Sequence, residues 1–280
     1  MLSEYLEDKF NKPLKLGPGL FSWSDSALEE ENAKQMFGLM KKYGLTVLYQ
    51  RFPYDISDET LNAFFKLASA YNVSIYYLTG DPEWALEPDG EKMCNEVERA
   101  SKLNERLTGK AYLSGILMDT EPYLLGLWED EEDLVLDTYV SAMEHANKKA
   151  EENGLSYIAC IPYFYDQKGH VDELVELMEY GCDALAIMNY SKRDEAGQIR
   201  TEIELAKEKE KPIVVIYELQ KPGVHGLHEF NTYFNDGLGA VEDSVSKLKK
   251  NYGKDSFQYA LHEYNALHEY DVFQEMIRSE

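Results

Sequence analysis

The chain is poor in positive charge: 28 Lys and Arg face 52 Asp and Glu, for a formal net charge of −24 at pH 7. A surface of that sign repels phosphate, which argues against nucleic acid and against an anionic membrane as partners. Solubility is the ordinary use of such acidity. Cysteine is scarce too. Cys94, Cys160 and Cys182 make an odd number with no CxxC spacing, and two of them sit in or beside apolar runs, so buried free thiols are expected rather than a disulfide framework. The histidines, at 145, 170, 225, 228, 262 and 268, form neither His-x-His nor HExxH, and His225 and His228 share a loop that offers no third ligand. No metal and no other cofactor is expected on that basis. GxSxG and the Walker A loop are both missing, which removes two common hydrolase and nucleotide-binding designs. No apolar run approaches membrane-spanning length. The opening MLSEYLEDKF has neither the basic nor the apolar region of a signal peptide, so a soluble protein is expected, with cytoplasm and exterior both open.

What is present is alternation. Short apolar runs at Gly19–Trp23, Thr46–Arg51, Val73–Leu78, Gly115–Asp119, Tyr157–Pro162, Ala184–Asn189, Pro212–Glu218 and Gln258–His262 read as strands. Amphipathic stretches between them read as helices, among them Glu29–Tyr43, Asp58–Tyr71, Gly90–Leu107, Glu132–Asn153, Val171–Tyr180 and Gly197–Glu210. Eight β/α units in 280 residues predict one (β/α)8 barrel over 1–280, with 1–15 as a lead-in. A doubly wound sheet would carry a glycine-rich turn after its first strand, and Trp23-Ser24-Asp25-Ser26 is not one. The long stretch Gln220–Leu238 reads as a loop at the functional end rather than a domain boundary. Leu-His-Glu-Tyr occurs at 261–264 and again at 267–270; the second copy is expected to open the last helix.

A barrel of this kind carries its chemistry at the C-terminal strand ends. Gathered there are Trp23 and Arg51, then Asp81 and Trp84, then Asp119, Glu121 and Tyr123. Tyr163 and Tyr165, Asn189 and Tyr190, Glu218, and His262 with Tyr264 complete the set. Asp119 and Glu121 are spaced i, i+2 after the apolar run of strand 4 and therefore share a face. Two close carboxylates in a cleft raise one another's proton affinity, which suits a general acid near neutral pH. Aromatic faces stack on sugar C–H faces while carboxylate, Asn and Arg bind hydroxyls, so the set points to a carbohydrate ligand.

Two families of sugar-cleaving barrel resemble these residues. Ser114-Gly115-Ile116-Leu117-Met118-Asp119-Thr120-Glu121 resembles the Asp-Gly-x-Asp-x-Asp-x-Glu strand of chitinase-like family 18 hydrolases, with Ser114 and Leu117 replacing the first two aspartates. Met188-Asn189-Tyr190-Ser191 resembles that family's Met-x-Tyr-Asp, with Ser191 for the Asp. The resemblance implies Glu121 as acid/base, Asp119 orienting a substrate N-acetyl group that acts as nucleophile, and Tyr190 helping to hold it. Thr120-Glu121-Pro122 and the strand from Lys211-Pro212 to Glu218 are similar to the large clan with Asn-Glu-Pro and a second catalytic Glu, which implies Glu218 as nucleophile. The stretch 184–264 also resembles a poorly characterised bacterial group of hydrolase-like barrels, through Ala186-Ile187-Met188-Asn189-Tyr190, Lys211-Pro212 with Glu218, and Ala260-Leu261-His262-Glu263-Tyr264.

A plainer role stands beside each chemical one. Asp119 suits a hydrogen-bond acceptor between strands, Glu218 a partner for Arg51 across the mouth, and Trp84 a loop anchor as well as a sugar platform. His262 suits a hydrogen-bonded binding residue, and tyrosine is a good strand residue in its own right. Three readings stay open: a glycoside hydrolase working through Glu121, a carbohydrate-binding barrel without catalysis, and a barrel enzyme of another kind, such as a metal-dependent isomerase or hydrolase. Oligomeric state, sugar, linkage and stereochemistry are not written in these motifs.

Overall fold

The computed structural model describes residues 14–279, so most of the expected lead-in 1–15 lies outside the described residues. Eight parallel strands, β1 to β8, close on themselves in chain order. They are β1 Gly19–Ser22, β2 Val47–Gln50, β3 Ser74–Thr79, β4 Gly115–Met118, β5 Ser156–Pro162, β6 Ala184–Met188, β7 Ile213–Glu218 and β8 Gln258–His262. Closure comes from β1 against β8, with Gly19 opposite Ala260. The helices are α1 Glu30–Lys42, α2 Asp58–Tyr71, α3 Glu91–Arg106, α4 Trp128–Glu152, α5 Val171–Glu176, α6 Arg200–Glu208, α7 Leu238–Tyr252 and α8 Tyr264–Ser279. This is the (β/α)8 barrel expected from the alternation, and its strand bounds agree to about one residue, within the usual end fraying.

Helix starts differ more, each for a local reason. Helix α4 begins at Trp128, ahead of the expected Glu132, because Trp128 is buried; the backbone then leaves helical geometry at Glu131. The α-helical part of the Val171–Tyr180 stretch ends at Glu176 and widens into a π turn over Leu177–Gly181. Helix α8 opens inside the first Leu-His-Glu-Tyr copy, not the second, since Ala266 and Leu267 are already buried and Glu263 Oε1 accepts the Ala266 N–H at 3.3 Å. Ser57 caps α2, accepting the Thr60 N–H at 3.1 Å.

Apolar side chains form two layers. One lies between barrel and helices; the other fills the barrel with Phe21, Tyr49, Tyr76, Leu78, Leu117, Ile158, Val214 and Ile216 among others. Within it Phe21 and Tyr49 pack with ring centroids 4.8 Å apart, and Tyr49 and Tyr76 at 5.7 Å. Beneath them Leu14 and Leu16 pack on the same layer, and the Lys15 N–H donates to the Tyr76 hydroxyl at 3.1 Å. The interior is thus filled from below.

Candidate active site

Alternation along each strand decides what lies above that core. Leu117 points inward on β4, so Asp119 and then Glu121 continue the inner row. The same parity carries Phe21 to Trp23, Tyr49 to Arg51, Met188 to Tyr190, Ile216 to Glu218 and Ala260 to His262. Barrel order sets β8 across from β4, and so His262 across from the carboxylate pair. Asp119 is seated by its own N–H, which donates to Thr79 O at 2.7 Å. Gly80 is required beside it, because a Cβ there would lie 2.0 Å from the Asp119 carbonyl oxygen.

The pair is electrostatically unequal. Burial, and then the Asp119 charge, push Glu121 up to about 7, against the pull of the Tyr123 hydroxyl and of His262. Burial also raises Asp119, opposed by the Cys160 thiol and His262, and Asp119 Oδ1 is buried with no protein partner. Tyr123 donates to Glu121 Oε2 and sets its ring edge-on to Phe164 at 5.3 Å. Tyr190 is lifted far above the ordinary phenol value by burial, then by the neighbouring carboxylates.

Glu218 is not paired with Arg51, contrary to the plainer reading. Its Oε1 accepts the Gln220 N–H at 2.7 Å and its Oε2 meets His262 Nδ1 at 2.9 Å. Arg51 is half exposed and leans toward Asp25 at 3.6 Å. A short side reach and a fully buried carboxylate explain why the ladder neighbour wins: the register sets Glu218 directly opposite His262.

Other gathered residues stand outside the mouth. Asn189 has outward parity, and its Nδ2 donates to Glu195 O at 3.1 Å. Asp81 is exposed and caps its own turn by accepting the Glu83 N–H at 2.9 Å. Trp84 packs on the outer core and, with Tyr54 and residues of α3, lines a flank groove of about 690 Å3 that lies away from the carboxylates. Tyr163 packs in the outer layer against Phe164 at 5.7 Å, and Tyr165 is buried, stacked on Trp128 at 6.0 Å. Tyr264 is buried between barrel and α8.

Two partners of the pair were not singled out from sequence. Tyr123 stood among the strand-end residues without a role. Cys160 was only a buried thiol, yet the β4–β5 register, with Met118 opposite Ala159, brings it beside Asp119. Register is the signal that could have found it. Among the described residues no group of three or more His, Cys, Asp and Glu side chains is arranged to hold a metal, and no helix is long and apolar enough to cross a membrane.

No protein-family model matches the sequence, and no curated protein does either. Solved structures do resemble the fold. A GH18 chitinase from Pseudoalteromonas aurantia superposes with a TM-score of 0.58 at 11% identity, over 95% of this chain and 100% of that one. A protein described as an alpha-L-fucosidase from Bacteroides thetaiotaomicron gives 0.61 at 14%, over 95% and 96%. D-psicose 3-epimerase from Clostridium cellulolyticum gives 0.54 at 12%, over 88% and 84%. The chain therefore shares its (β/α)8 barrel fold with these glycoside hydrolases and with an epimerase.

Proposed function

We propose that the protein is a glycoside hydrolase acting on a sugar that carries a 2-acetamido group, with Glu121 as general acid/base. The observation that carries this reading is Glu121 in the barrel mouth beside Asp119, its proton held to about 7 by burial and by its neighbour's charge. A carboxylic acid protonated near neutrality can deliver a proton to a leaving oxygen. Asp119 then accepts the acetamido N–H and stabilises the positive charge that develops there as the acetamido oxygen attacks the anomeric carbon and the bond to the protonated leaving oxygen breaks, with Tyr190, just past β6, helping to hold the acetamido group. Glu121 afterwards takes a proton from the incoming water. The match of Gly115, Asp119, Glu121, Met188 and Tyr190 to the family 18 pattern supports the same assignment. Glu218 is a weaker nucleophile candidate because both of its oxygens are already engaged.

A second reading, a carbohydrate-binding barrel without turnover, is favoured by one specific feature: Ser114, Leu117 and Ser191 stand where the family pattern has aspartates. Glu121→Gln separates the two. A hydrolase loses turnover by about a hundredfold or more and keeps glycan binding; a wild type that binds chitotetraose but cleaves no glycan supports the second reading and overturns the first.

A further inference from the structure

Glu218 is 3% exposed and held at both oxygens, by the Gln220 N–H at 2.7 Å and by His262 Nδ1 at 2.9 Å. A carboxylate fixed at both ends is poorly placed to turn toward a ligand, and it is well placed to orient the ring it holds. His262 keeps 16% of its side chain open. Phe21 meets the ring edge-on at 5.6 Å and Tyr190 flanks it at 6.2 Å, so the ring plane is set from two sides. Nδ1 is taken. Nε2 has no hydrogen-bond partner among the described residues, and it sits on β8 across the barrel from Asp119 and Glu121.

We propose that Glu218 and His262 form a binding dyad: Glu218 positions the imidazole through Nδ1, and His262 Nε2–H donates to a hydroxyl of the sugar seated between β8 and the carboxylates of β4. Which ligand it takes rests on the glycoside hydrolase reading; the dyad itself does not. The groups facing the ring are Glu218 from β7, Asp119 and Glu121 from β4, Tyr190 beyond β6, and Glu263 next in chain. Burial opposes a charge on His262, but the Glu218 bond and charge, with Asp119, outweigh it and hold the imidazole above its ordinary value. The donor is therefore cationic over more of the neutral range than a free histidine.

The test uses the full chain with 15N-labelled histidine, assigning His262 by its loss in His262→Gln. In the ligand-free wild type the ring is expected to titrate above the ordinary imidazole value with Nδ1 protonated throughout, and in Glu218→Gln to titrate at lower pH. An unchanged titration in Glu218→Gln overturns the dyad. With chitotetraose as probe, His262→Ala is expected to weaken binding about tenfold or more, the scale of one hydrogen bond from a charged group. His262→Gln, which returns an N–H near the Nε2 position, is expected to recover part of that loss. Unchanged binding in His262→Ala overturns the donor role. A wild type that binds no chitotetraose overturns the hydrolase reading and the donor role together, while the ligand-free titration still passes or fails the dyad.

Discussion

The Asp119–Glu121 pair costs stability at the pH where it would work. A carboxylate raised from 4.5 to about 7 binds its proton more tightly folded than unfolded, so stability falls as pH rises through that window and levels off above it. Glu121→Gln is accordingly expected to stabilise the fold at pH 8 by on the order of 1–3 kcal/mol, with little change at pH 4; urea unfolding at both values checks it. Kinetics should carry two opposite shifts. Asp119 raises Glu121, so Asp119→Asn moves the alkaline limb of kcat/KM to lower pH, whereas Tyr123 lowers it, so Tyr123→Phe moves that limb to higher pH. Limbs that shift the same way in both variants would contradict the assignment. Glu202 is a carboxylate that sequence patterning treated as an ordinary helix residue. It is fully buried on α6 with both oxygens unpartnered, and burial and then Asp166 push it up to about 8. Stability is lost there as pH rises from 4.5 to about 8, and Glu202→Gln should raise the Tm at pH 9 but not at pH 4.

At the scale of elements, the strands were legible because their residues are buried on both faces and so read as unbroken apolar runs, as in Ile213-Val214-Val215-Ile216. Helix starts were less legible. Trp128 belongs to a helix because of a tertiary contact with Tyr165 that no local pattern announces, and α8 starts early because β8 delivers Ala266 and Leu267 directly to the core. The site was legible in part for the same reason. Parity along β4, β6, β7 and β8 brings Asp119, Glu121, Tyr190, Glu218 and His262 to the mouth, whereas residues taken from loops, such as Asp81 and Trp84, follow turns whose direction depends on packing. Glycine 80 marks the tightest element contact at the site. Gly80→Ala should displace Asp119 and lower activity and Tm together, since the neighbour is backbone and has little room to give. Ser57→Ala is the contrasting control, costing about 1 kcal/mol with activity unchanged.

The molecule as a whole sets a buried carboxylate pair at one end of the barrel of a strongly acidic chain. Its interior is filled by Phe21, Tyr49 and Tyr76, with Phe21 reaching up to the ring of side chains at the strand ends. That ring is asymmetric: the carboxylate pair just past β4 faces a carboxylate-held imidazole on β8, with Tyr190, just past β6, between them. A bound pyranose between the two sides would meet an acid on one face and a donor on the other. The decisive comparison is wild-type cleavage of the β-1,4-linked N-acetylglucosamine tetramer against the β-1,4-linked glucose tetramer, which differs only at C2. Cleavage of the first alone, abolished by Glu121→Gln, is the expected result; equal cleavage of both, or of the glucose tetramer alone, would contradict participation of the acetamido group and return Glu218 to the role of nucleophile.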